Sequence, residues 1–148
     1  MFRKNIRLKF YDYKLNGYYF VTICTDYRKP YLNNEKIKEI VVAELALLEK
    51  RFLGLKIDYY ILMPDHIHLI FVLENSDFKL PKIIQAFKSI TTLKAKQALP
   101  LQINKRFWQP NYYEHVIRNE KALYKIREYI KYNAEKDNID LSEVDKLL

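Results

Sequence analysis

One stretch of this sequence organises the rest of the chain, and it reads Met63-Pro64-Asp65-His66-Ile67-His68-Leu69-Ile70-Phe71. Apolar residues surround two of the chain's three histidines, and an apolar run of this kind predicts a buried β-strand. Successive side chains of a strand point to opposite faces, so His66 and His68 share one face. Two imidazoles on one face can bind a single divalent metal ion. The alternative is that both are core histidines whose ring nitrogens are bonded to backbone carbonyls.

The segments on either side of this strand alternate between strand and helix patterns. Aromatic and β-branched residues predict strands, whereas apolar residues at three- and four-residue steps predict amphipathic helices. The resulting order is β-α-β-β-α-β-α. Its first six elements form the split pattern of an α+β, ferredoxin-like antiparallel sheet, and one additional helix follows at the C-terminal end. The predicted strands cover residues 18–25, 55–62, 66–73 and 112–117, and the predicted helices end near residues 52, 99 and 133.

Short polar side chains precede each predicted helix. Such residues accept hydrogen bonds from the free N–H groups of the first helical turn, so we expect them to be N-caps. Pro81 then falls near the start of the second helix, where a missing N–H is tolerated. The predicted caps are Asn33 or Asn34, Ser76 or Asp77, and Asn119.

Length and composition limit the class of protein. A chain of 148 residues is long enough for one domain, which we divide into a basic lead-in over residues 1–16, a core over 17–133 and a tail over 134–148. Only two glycines occur, which excludes a P-loop and a dinucleotide-binding fingerprint. The single Cys24 cannot form an intramolecular disulfide, no apolar run approaches the roughly 18 residues of a membrane span, and the N-terminus lacks a signal-peptide pattern. We therefore expect a cytoplasmic protein without membrane association.

The formal net charge of +8 is unevenly distributed along the chain. A basic segment without acids favours a polyanionic partner, nucleic acid first, although an ordinary solvated surface is the alternative. Residues 78–113 contain no acidic residue, and their basic residues are Lys79, Lys82, Lys88, Lys94, Lys96, Lys105 and Arg106. The basic residues that precede the first acid, Asp12, are Arg3, Lys4, Arg7 and Lys9.

Further segments carry a family signature together with the histidine motif. They are Arg3-Lys4-Asn5-Ile6-Arg7-Leu8-Lys9 with Tyr11-Asp12-Tyr13, then Tyr19-Phe20-Val21-Thr22-Ile23-Cys24-Thr25, then Ala86-Phe87-Lys88-Ser89 with Thr91-Thr92, then Trp108-Gln109 with Tyr112-Tyr113-Glu114-His115-Val116-Ile117-Arg118-Asn119, and finally Arg127-Glu128-Tyr129-Ile130-Lys131-Tyr132-Asn133. In this order they resemble the single-tyrosine HUH transposases, in the branch called REP-associated tyrosine transposases. HUH denotes His, a hydrophobic residue and His. The motif alone is weakly specific, but the resemblance spans about residues 3–134.

The resemblance implies a metal-dependent DNA transposase or strand transferase. Such an enzyme nicks and rejoins single-stranded or hairpin DNA through a 5′-phosphotyrosine, and REP-type palindromes are the expected targets. It further implies that His66 and His68 bind Mg²⁺ or Mn²⁺, that Asn133 provides a third metal contact, that Tyr129 is the nucleophile, and that the protein is a monomer rather than a dimer. The i, i+4 spacing puts Tyr129 and Asn133 on one helix face. The family usually has proline after this asparagine, whereas here Ala134 follows, so the helix can continue further.

Several basic residues and one tryptophan are candidates for contacting DNA. Trp108 either stacks on a base or fills the core, and lysines on a helix are otherwise a solvated face. His115, the third histidine, either lines the site or packs, and packing is favoured. The candidate DNA-contacting residues are Arg3, Lys4, Arg7, Lys9, Lys82, Lys88, Lys96, Arg106 and Trp108.

The same residues are compatible with three other functions. A nicking endonuclease would cut DNA without rejoining it, and a non-catalytic ferredoxin-like module would present tyrosines to nucleic-acid bases. A hydrolase would use His66 and His68 to activate water. Because the chain has 13 tyrosines, Tyr132 is a second candidate nucleophile, although it lies off the face shared by Tyr129 and Asn133.

Overall fold

Four strands form one sheet in a computed structural model that describes residues 16–134 and 139–148. They are β1 (Asn16–Cys24), β2 (Leu55–Met63), β3 (His66–Glu74) and β4 (Tyr113–Ile117). The order across the sheet is β2-β3-β1-β4, and each neighbouring pair is antiparallel. The α+β, ferredoxin-like architecture predicted from the sequence is therefore confirmed.

Helices cover both faces of this sheet. They are α1 (Glu35–Arg51), α2 (Leu80–Ala98), α3 (Glu120–Ala134) and α4 (Leu141–Leu147). The buried residues of α1 and α2 pack with Tyr19, Val21 and Leu69 in a first apolar cluster. Those of α3 and α4 pack with Phe20 and Ile70 in a second cluster. Neighbouring residues of β1 and of β3 thus serve two separate cores, as the two-residue period of a strand requires.

Two of the predicted helix caps are confirmed. Asn34 caps α1, because its Oδ1 accepts a hydrogen bond from the N–H of Ile37 at 3.1 Å. Asn119 precedes α3, and its Oδ1 accepts from the N–H of Ala122 at 2.8 Å. Each asparagine satisfies an N–H group that the first helical turn leaves without a backbone partner.

The predicted cap of α2 is wrong. Neither Ser76 nor Asp77 occupies that position; Lys79 precedes the helix, which begins at Leu80. A helix that began directly after Asp77 would place Pro81 at its fourth residue, where the backbone N–H is needed for the first helical hydrogen bond. Beginning at Leu80 keeps Pro81 inside the first turn, so the proline sets the start of the helix.

The predicted tail, residues 134–148, includes the helix α4. Val144 of α4 is fully buried in the second cluster. The helix is capped by Asp140, whose Oδ1 accepts from the N–H of Ser142 at 2.9 Å. No helix within the described ranges is long and apolar enough to cross a bilayer.

Candidate active site

His66 and His68 lie side by side on β3, on the sheet face that α3 and α4 cover. Their neighbours Ile67 and Leu69 belong to the first cluster on the opposite face, while the ring of His68 stacks on Phe20 of the second. The two imidazole centroids are 4.7 Å apart, with the rings at 76° to each other. The pair therefore has the common face that strand periodicity predicts, with its rings close together.

A carboxylate orients His66. Its Nδ1 lies 2.7 Å from Oδ1 of Asp65, and Arg28 donates its Nε–H to Oδ2 of the same carboxylate at 2.9 Å. Partial burial raises the pKa of Asp65, but hydrogen bonds with Arg28 and His66 outweigh burial and lower that pKa below its usual value. The ionised carboxylate accepts the Nδ1 proton of His66, which leaves Nε2 as the nitrogen with a free lone pair.

His68 is deeply buried and held by a hydroxyl group. Only 4% of its surface is exposed, its ring centroid lies 5.4 Å from that of Phe20, and its Nδ1 is 2.8 Å from Oγ1 of Thr22. Burial, reinforced by nearby His66 and Arg28, lowers the pKa of His68 to about 3. The imidazole is therefore neutral at pH 7, which is the form that binds metal ions.

A strained turn after β1 presents Arg28 to this pair. Tyr27 and Arg28 each have a φ of 54°, in the left-handed region that non-glycine residues rarely adopt. The turn is attached to the β2–β3 connection, because the N–H of Thr25 donates to the carbonyl of Asp65 at 2.9 Å. Backbone strain of this kind persists only where surrounding structure holds it, and it concentrates at functional sites.

Sequence reasoning missed Thr22, Arg28 and Asp65 as site residues. Asp65 stands directly before His66, and a carboxylate beside a candidate metal-binding histidine is a usable signal. No comparable signal marks the other two. Thr22 is 46 residues from His68 and Arg28 is 37 residues from Asp65, so only the pairing of β1 with β3 and the turn after β1 bring them in.

Helix α3 carries both Tyr129 and Asn133 and packs on the histidine face of the sheet. The Oη of Tyr129 accepts a hydrogen bond from the N–H of Asp140 at 2.9 Å, and Nδ2 of Asn133 donates to the carbonyl of Tyr129 at 2.8 Å. Across residues 16–134 and 139–148, neither side chain is hydrogen-bonded to a histidine of the pair.

A bidentate ion pair fixes α3 to β2. Arg127 donates from Nε to Oδ2 of Asp58 at 2.7 Å and from Nη2 to Oδ1 at 2.5 Å. The hydrogen bond with Asp58 raises the pKa of Arg127 above its already high usual value. Because Arg127 lies half a helical turn before Tyr129, the ion pair holds the helix next to the candidate nucleophile.

His115 contacts α4 and packs on the second cluster. Its Nδ1 lies 2.6 Å from Oδ1 of Asp145, and its ring centroid is 6.0 Å from that of Phe20. Its Nε2 is buried and has no hydrogen-bond partner within the described part of the chain. These contacts agree with the favoured packing role.

Comparison with known proteins decides the family. The family described as "Transposase IS200 like" matches residues 13–133. The chain belongs to this family. The match confirms the transposase resemblance found in the sequence. An uncharacterised protein of Haemophilus influenzae (strain Rd) is a relative of this chain. The two sequences are 30% identical, and the match covers 88% of this chain and 87% of the relative.

Two solved structures have the same fold as this protein. A REP-associated tyrosine transposase bound to a REP hairpin has a TM-score of 0.66 and 22% identity, and the match covers 89% of this chain and 75% of that one. A putative transposase from Deinococcus radiodurans R1 has a TM-score of 0.55 and 22% identity, with coverage of 85% and 97%. At this identity the two likenesses establish the fold.

The predicted metal-binding residues of this family member have the donor chemistry for a divalent ion. The carboxylate of Asp65 leaves Nε2 of His66 as a metal donor, and Nε2 of His68 has no hydrogen-bond partner among the described residues. Asn133 uses its amide nitrogen in the hydrogen bond to α3, and its Oδ1 has no hydrogen-bond partner among the described residues. Those residues contain no group of three or more His, Cys, Asp or Glu side chains placed to hold a metal. The amide oxygen of Asn133 is a further type of oxygen donor that a divalent ion accepts.

The predicted DNA-contacting residues of this family member differ in how accessible they are. Arg3, Lys4, Arg7 and Lys9 lie outside the described residues. Lys82 and Arg106 are exposed, and Lys96 is half-buried.

Trp108 and Lys88 form hydrogen bonds within the protein itself. Trp108 is 2% exposed and donates its indole N–H to Oγ1 of Thr91 at 2.8 Å. Of its two predicted roles, core packing is therefore correct and base stacking is wrong, because no ring face is open to a base. The ammonium of Lys88 donates to the carbonyls of Gln109 at 2.6 Å and Asn111 at 3.3 Å, so it joins α2 to the loop before β4.

Proposed function

We propose that this protein nicks and rejoins single-stranded DNA in a metal-dependent reaction that passes through a 5′-phosphotyrosine. The observation that carries the proposal is the histidine pair. The Nδ1 atoms of His66 and His68 are engaged by Asp65 and Thr22, and both rings lie on the sheet face over which α3 bears Tyr129. Membership of the IS200-like transposase family supports the same class of reaction.

Tyr129 is the proposed nucleophile. Its Oη gives up the phenol proton and attacks the phosphorus, the bond from phosphorus to the 3′ oxygen breaks, and that oxygen takes up a proton to become a free 3′-OH, so one proton is lost and one is gained. The phosphotyrosine retains the energy of the broken bond. A second 3′-OH can therefore attack the same phosphorus, release Tyr129 and join the strands without ATP, in keeping with a sequence that has no P-loop.

His66, His68 and Asn133 are the proposed ligands of one Mg²⁺ or Mn²⁺ ion. When bound, the ion acts as a Lewis acid that neutralises charge on the phosphate oxygens. Burial keeps His68 neutral and so available as a ligand. The carboxylate of Asp65 holds the ring of His66 in one orientation. Asn133 contributes a neutral oxygen, which suits a hard cation.

The proposed substrate is single-stranded or hairpin DNA, with REP-type palindromes as the expected class. The net charge of +8 and the acid-free segment 78–113 favour a polyanion. The fold neighbour with a TM-score of 0.66 is described as bound to a REP hairpin. We place the reaction in the cytoplasm, where a free, buried thiol such as that of Cys24 stays reduced.

A covalent-trapping assay tests the nucleophile. The protein is incubated with labelled hairpin DNA and Mg²⁺ or Mn²⁺, and the products are separated on a denaturing gel beside an EDTA control. We expect a metal-dependent band of lower mobility that is absent from Tyr129→Phe. The matched control is Tyr132→Phe, which alters an exposed ring on the same helix and retains the band.

The other outcomes separate the rival functions. A band that survives in Tyr129→Phe and disappears in Tyr132→Phe would overturn the choice of nucleophile. Binding of several hairpins without any adduct would support a non-catalytic module. A second oligonucleotide with a free 3′-OH distinguishes strand transfer from nicking alone, because only transfer yields a longer labelled strand.

A further inference from the structure

We propose that Arg28 and Tyr113 hold the reacting phosphate of the DNA beside the histidine pair, each by donating a hydrogen bond to a non-bridging oxygen. We call these two residues the donor pair. The inference rests on the proposed function, because it assigns to that reaction two contacts with the phosphate at which the bond is exchanged.

The register of the sheet puts Tyr113 on the face that carries the histidines. On one side Thr22 of β1 is paired with Tyr113 of β4, and on the other side it is paired with His68 of β3. Residues directly opposite each other in antiparallel strands share a face, so the three side chains form one row. Because neighbouring strands lie about 4.8 Å apart, the backbones of Tyr113 and His68 are separated by about 10 Å, which leaves room above Thr22 for a phosphate group.

The phenol of Tyr113 is accessible to a ligand. Its side chain is 54% exposed, whereas the other members of the row, Thr22 and His68, are buried. His115, the next residue of β4 on this face, is held by Asp145 of α4. No such contact holds Tyr113, whose hydroxyl makes no hydrogen bond within residues 16–134 and 139–148. An O–H group of this kind can donate to an anion.

The guanidinium of Arg28 also has donors to spare. It uses Nε for the hydrogen bond to Asp65, and its Nη2 lies 3.4 Å from Nδ1 of His66. Nη1 has no hydrogen-bond partner in the part of the chain that the structure describes, and the side chain is 52% exposed. Since a guanidinium presents five N–H groups in a planar fork, an open edge remains for the oxygens of a phosphate.

The two donors lie close to each other. The pKa of Arg28 is raised above its usual value, first by the hydrogen bond with Asp65, and the phenol of Tyr113 adds to the rise. The strained turn also keeps Arg28 in place, because the hydroxyl of Thr25 donates to the carbonyls of Lys29 at 2.7 Å and Asp65 at 3.1 Å. The donor pair therefore has a position that the fold fixes before DNA arrives.

The chemistry of the pair suits a phosphate whose charge grows during attack. One donor is a cation and the other is a neutral hydroxyl, and fixed donors stabilise developing charge without having to reorganise. Asp65 is the acid in contact with Arg28, and both of its oxygens are engaged, Oδ1 by His66 and Oδ2 by Arg28. Its charge is thus directed away from the open edge of the guanidinium.

A binding measurement with neutral phosphate analogues tests the proposal. Labelled hairpin probes each carry one methylphosphonate, which removes the charge of a single linkage. They are titrated in EDTA with Tyr129→Phe, so that no bond is broken. We expect one linkage at which the replacement lowers affinity about tenfold, the effect of a lost hydrogen bond to a charged group. In Tyr129→Phe/Tyr113→Phe the loss at that linkage should shrink to about threefold, because one of the two donors is already missing.

Three further variants in the Tyr129→Phe protein sharpen the test. Arg28→Asn removes the cation with a residue that tolerates a positive φ, and it should also reduce the loss at that linkage. Tyr124→Phe removes the hydroxyl of an exposed tyrosine on α3, and Lys29→Ala removes an exposed cation next to Arg28. Both are matched controls and should keep the full tenfold loss.

Rate and metal affinity separate a phosphate contact from a disturbed metal site. In the protein that retains Tyr129, Tyr113→Phe should slow adduct formation about a hundredfold, as removal of one fixed donor does. Its affinity for Mn²⁺, measured by isothermal titration calorimetry without DNA, should equal that of the wild type. A reduced Mn²⁺ affinity would overturn the proposal, since Tyr113 would then support the histidines.

The other outcomes distinguish the donor pair from the proposed function. An undiminished loss at the linkage in Tyr129→Phe/Tyr113→Phe would overturn the donor pair, whether or not the wild type forms an adduct. A diminished loss in a protein whose wild type forms no adduct would uphold the donor pair and refute the catalytic proposal. An adduct that survives in Tyr129→Phe and disappears in Tyr129→Phe/Tyr113→Phe would make Tyr113 a nucleophile and would also overturn the donor pair.

Discussion

At the scale of single residues, the site depends on the side chain that holds each histidine. A histidine binds a metal through Nε2 only when its proton is on Nδ1, and a fixed Nδ1 partner selects that tautomer. Asp65 provides this partner for His66, because an ionised carboxylate only accepts, and the hydroxyl of Thr22, which can donate or accept, holds Nδ1 of His68. These partners also fix the ring orientations, so their removal should weaken metal binding without altering a ligand.

Thr22→Val tests this role, because valine keeps the shape of threonine but lacks the hydroxyl. We expect the affinity for Mn²⁺ to fall about 10–100-fold, the usual effect of removing an outer-shell partner of a metal-binding histidine. Isothermal titration calorimetry on the DNA-free protein measures it. Thr22→Ser is the matched control and should stay close to wild type, since it retains the hydroxyl. Equal Mn²⁺ affinity in Thr22→Val and wild type would contradict a positioning role for Thr22.

Single residues also differ in how far sequence alone can place them. His66 and His68 were predicted to share a face because alternation along a strand is a local property, and the structure confirms that prediction. The two roles open to Trp108 could not be separated, because an indole suits both a core and a base-binding surface. Its burial depends on Thr91 and on the packing of α2, which are tertiary facts.

At the scale of elements, α3 is the helix whose placement matters most for the proposed reaction. Its apolar side chains hold it on the second cluster, but apolar contacts allow a helix to slide and rotate. The bidentate ion pair between Arg127 and Asp58 adds a directional contact that fixes the helix relative to β2. Tyr129 lies two residues further along the same helix, so the ion pair also fixes the position of its backbone.

Arg127→Ala should therefore affect catalysis more than stability. The ion pair is partly exposed, so we expect the free energy of unfolding to fall by only about 1 kcal/mol, measured by urea denaturation. The rate of adduct formation should fall about tenfold or more, because a small displacement of a nucleophile has a large kinetic effect. Lys125→Ala, an exposed change on the same helix, is the control for the loss of one positive charge. An adduct rate in Arg127→Ala that matches this control would argue against the anchoring role.

Element boundaries show where local reasoning succeeds. The caps at Asn34 and Asn119 were predictable, because each depends on one side chain and the turn that follows it. The start of α2 was misplaced because Ser76 and Asp77 are also good caps by type. The requirement that Pro81 lie in the first turn decides the boundary, and that requirement is itself local.

At the scale of the whole molecule, α3 packs on the sheet of its own chain. Phe20 and Ile70 of the sheet share a buried cluster with Ile126 and Ile130 of α3, and α4 joins the same cluster through Val144. The proposed nucleophile and the proposed metal ligands therefore belong to one folded chain. A monomer, the oligomeric state that the family resemblance implies, would act with its own Tyr129.

A mixing experiment tests this arrangement. One variant, Tyr129→Phe, lacks the nucleophile, and the other, His66→Ala/His68→Ala, lacks two proposed ligands. In a cis enzyme neither chain has a complete site, so we expect the mixture to form no adduct above the sum of the separate variants. Light scattering should give the mass of one chain. Adduct formation restored by mixing would mean that the helix is exchanged between two chains.

The sequence by itself determined the order of elements along the chain, the ferredoxin-like class, the shared face of the histidines and the family, because these depend on local periodicity and on motifs in a fixed order. Tertiary structure decided which side chains hold those histidines. Thr22 and Arg28 reach His68 and Asp65 only because β1 lies antiparallel to β3 and a strained turn follows it. It also decided that Trp108 is buried. Contacts between residues that are distant along the chain leave no local pattern, since their geometry exists only once the sheet has formed.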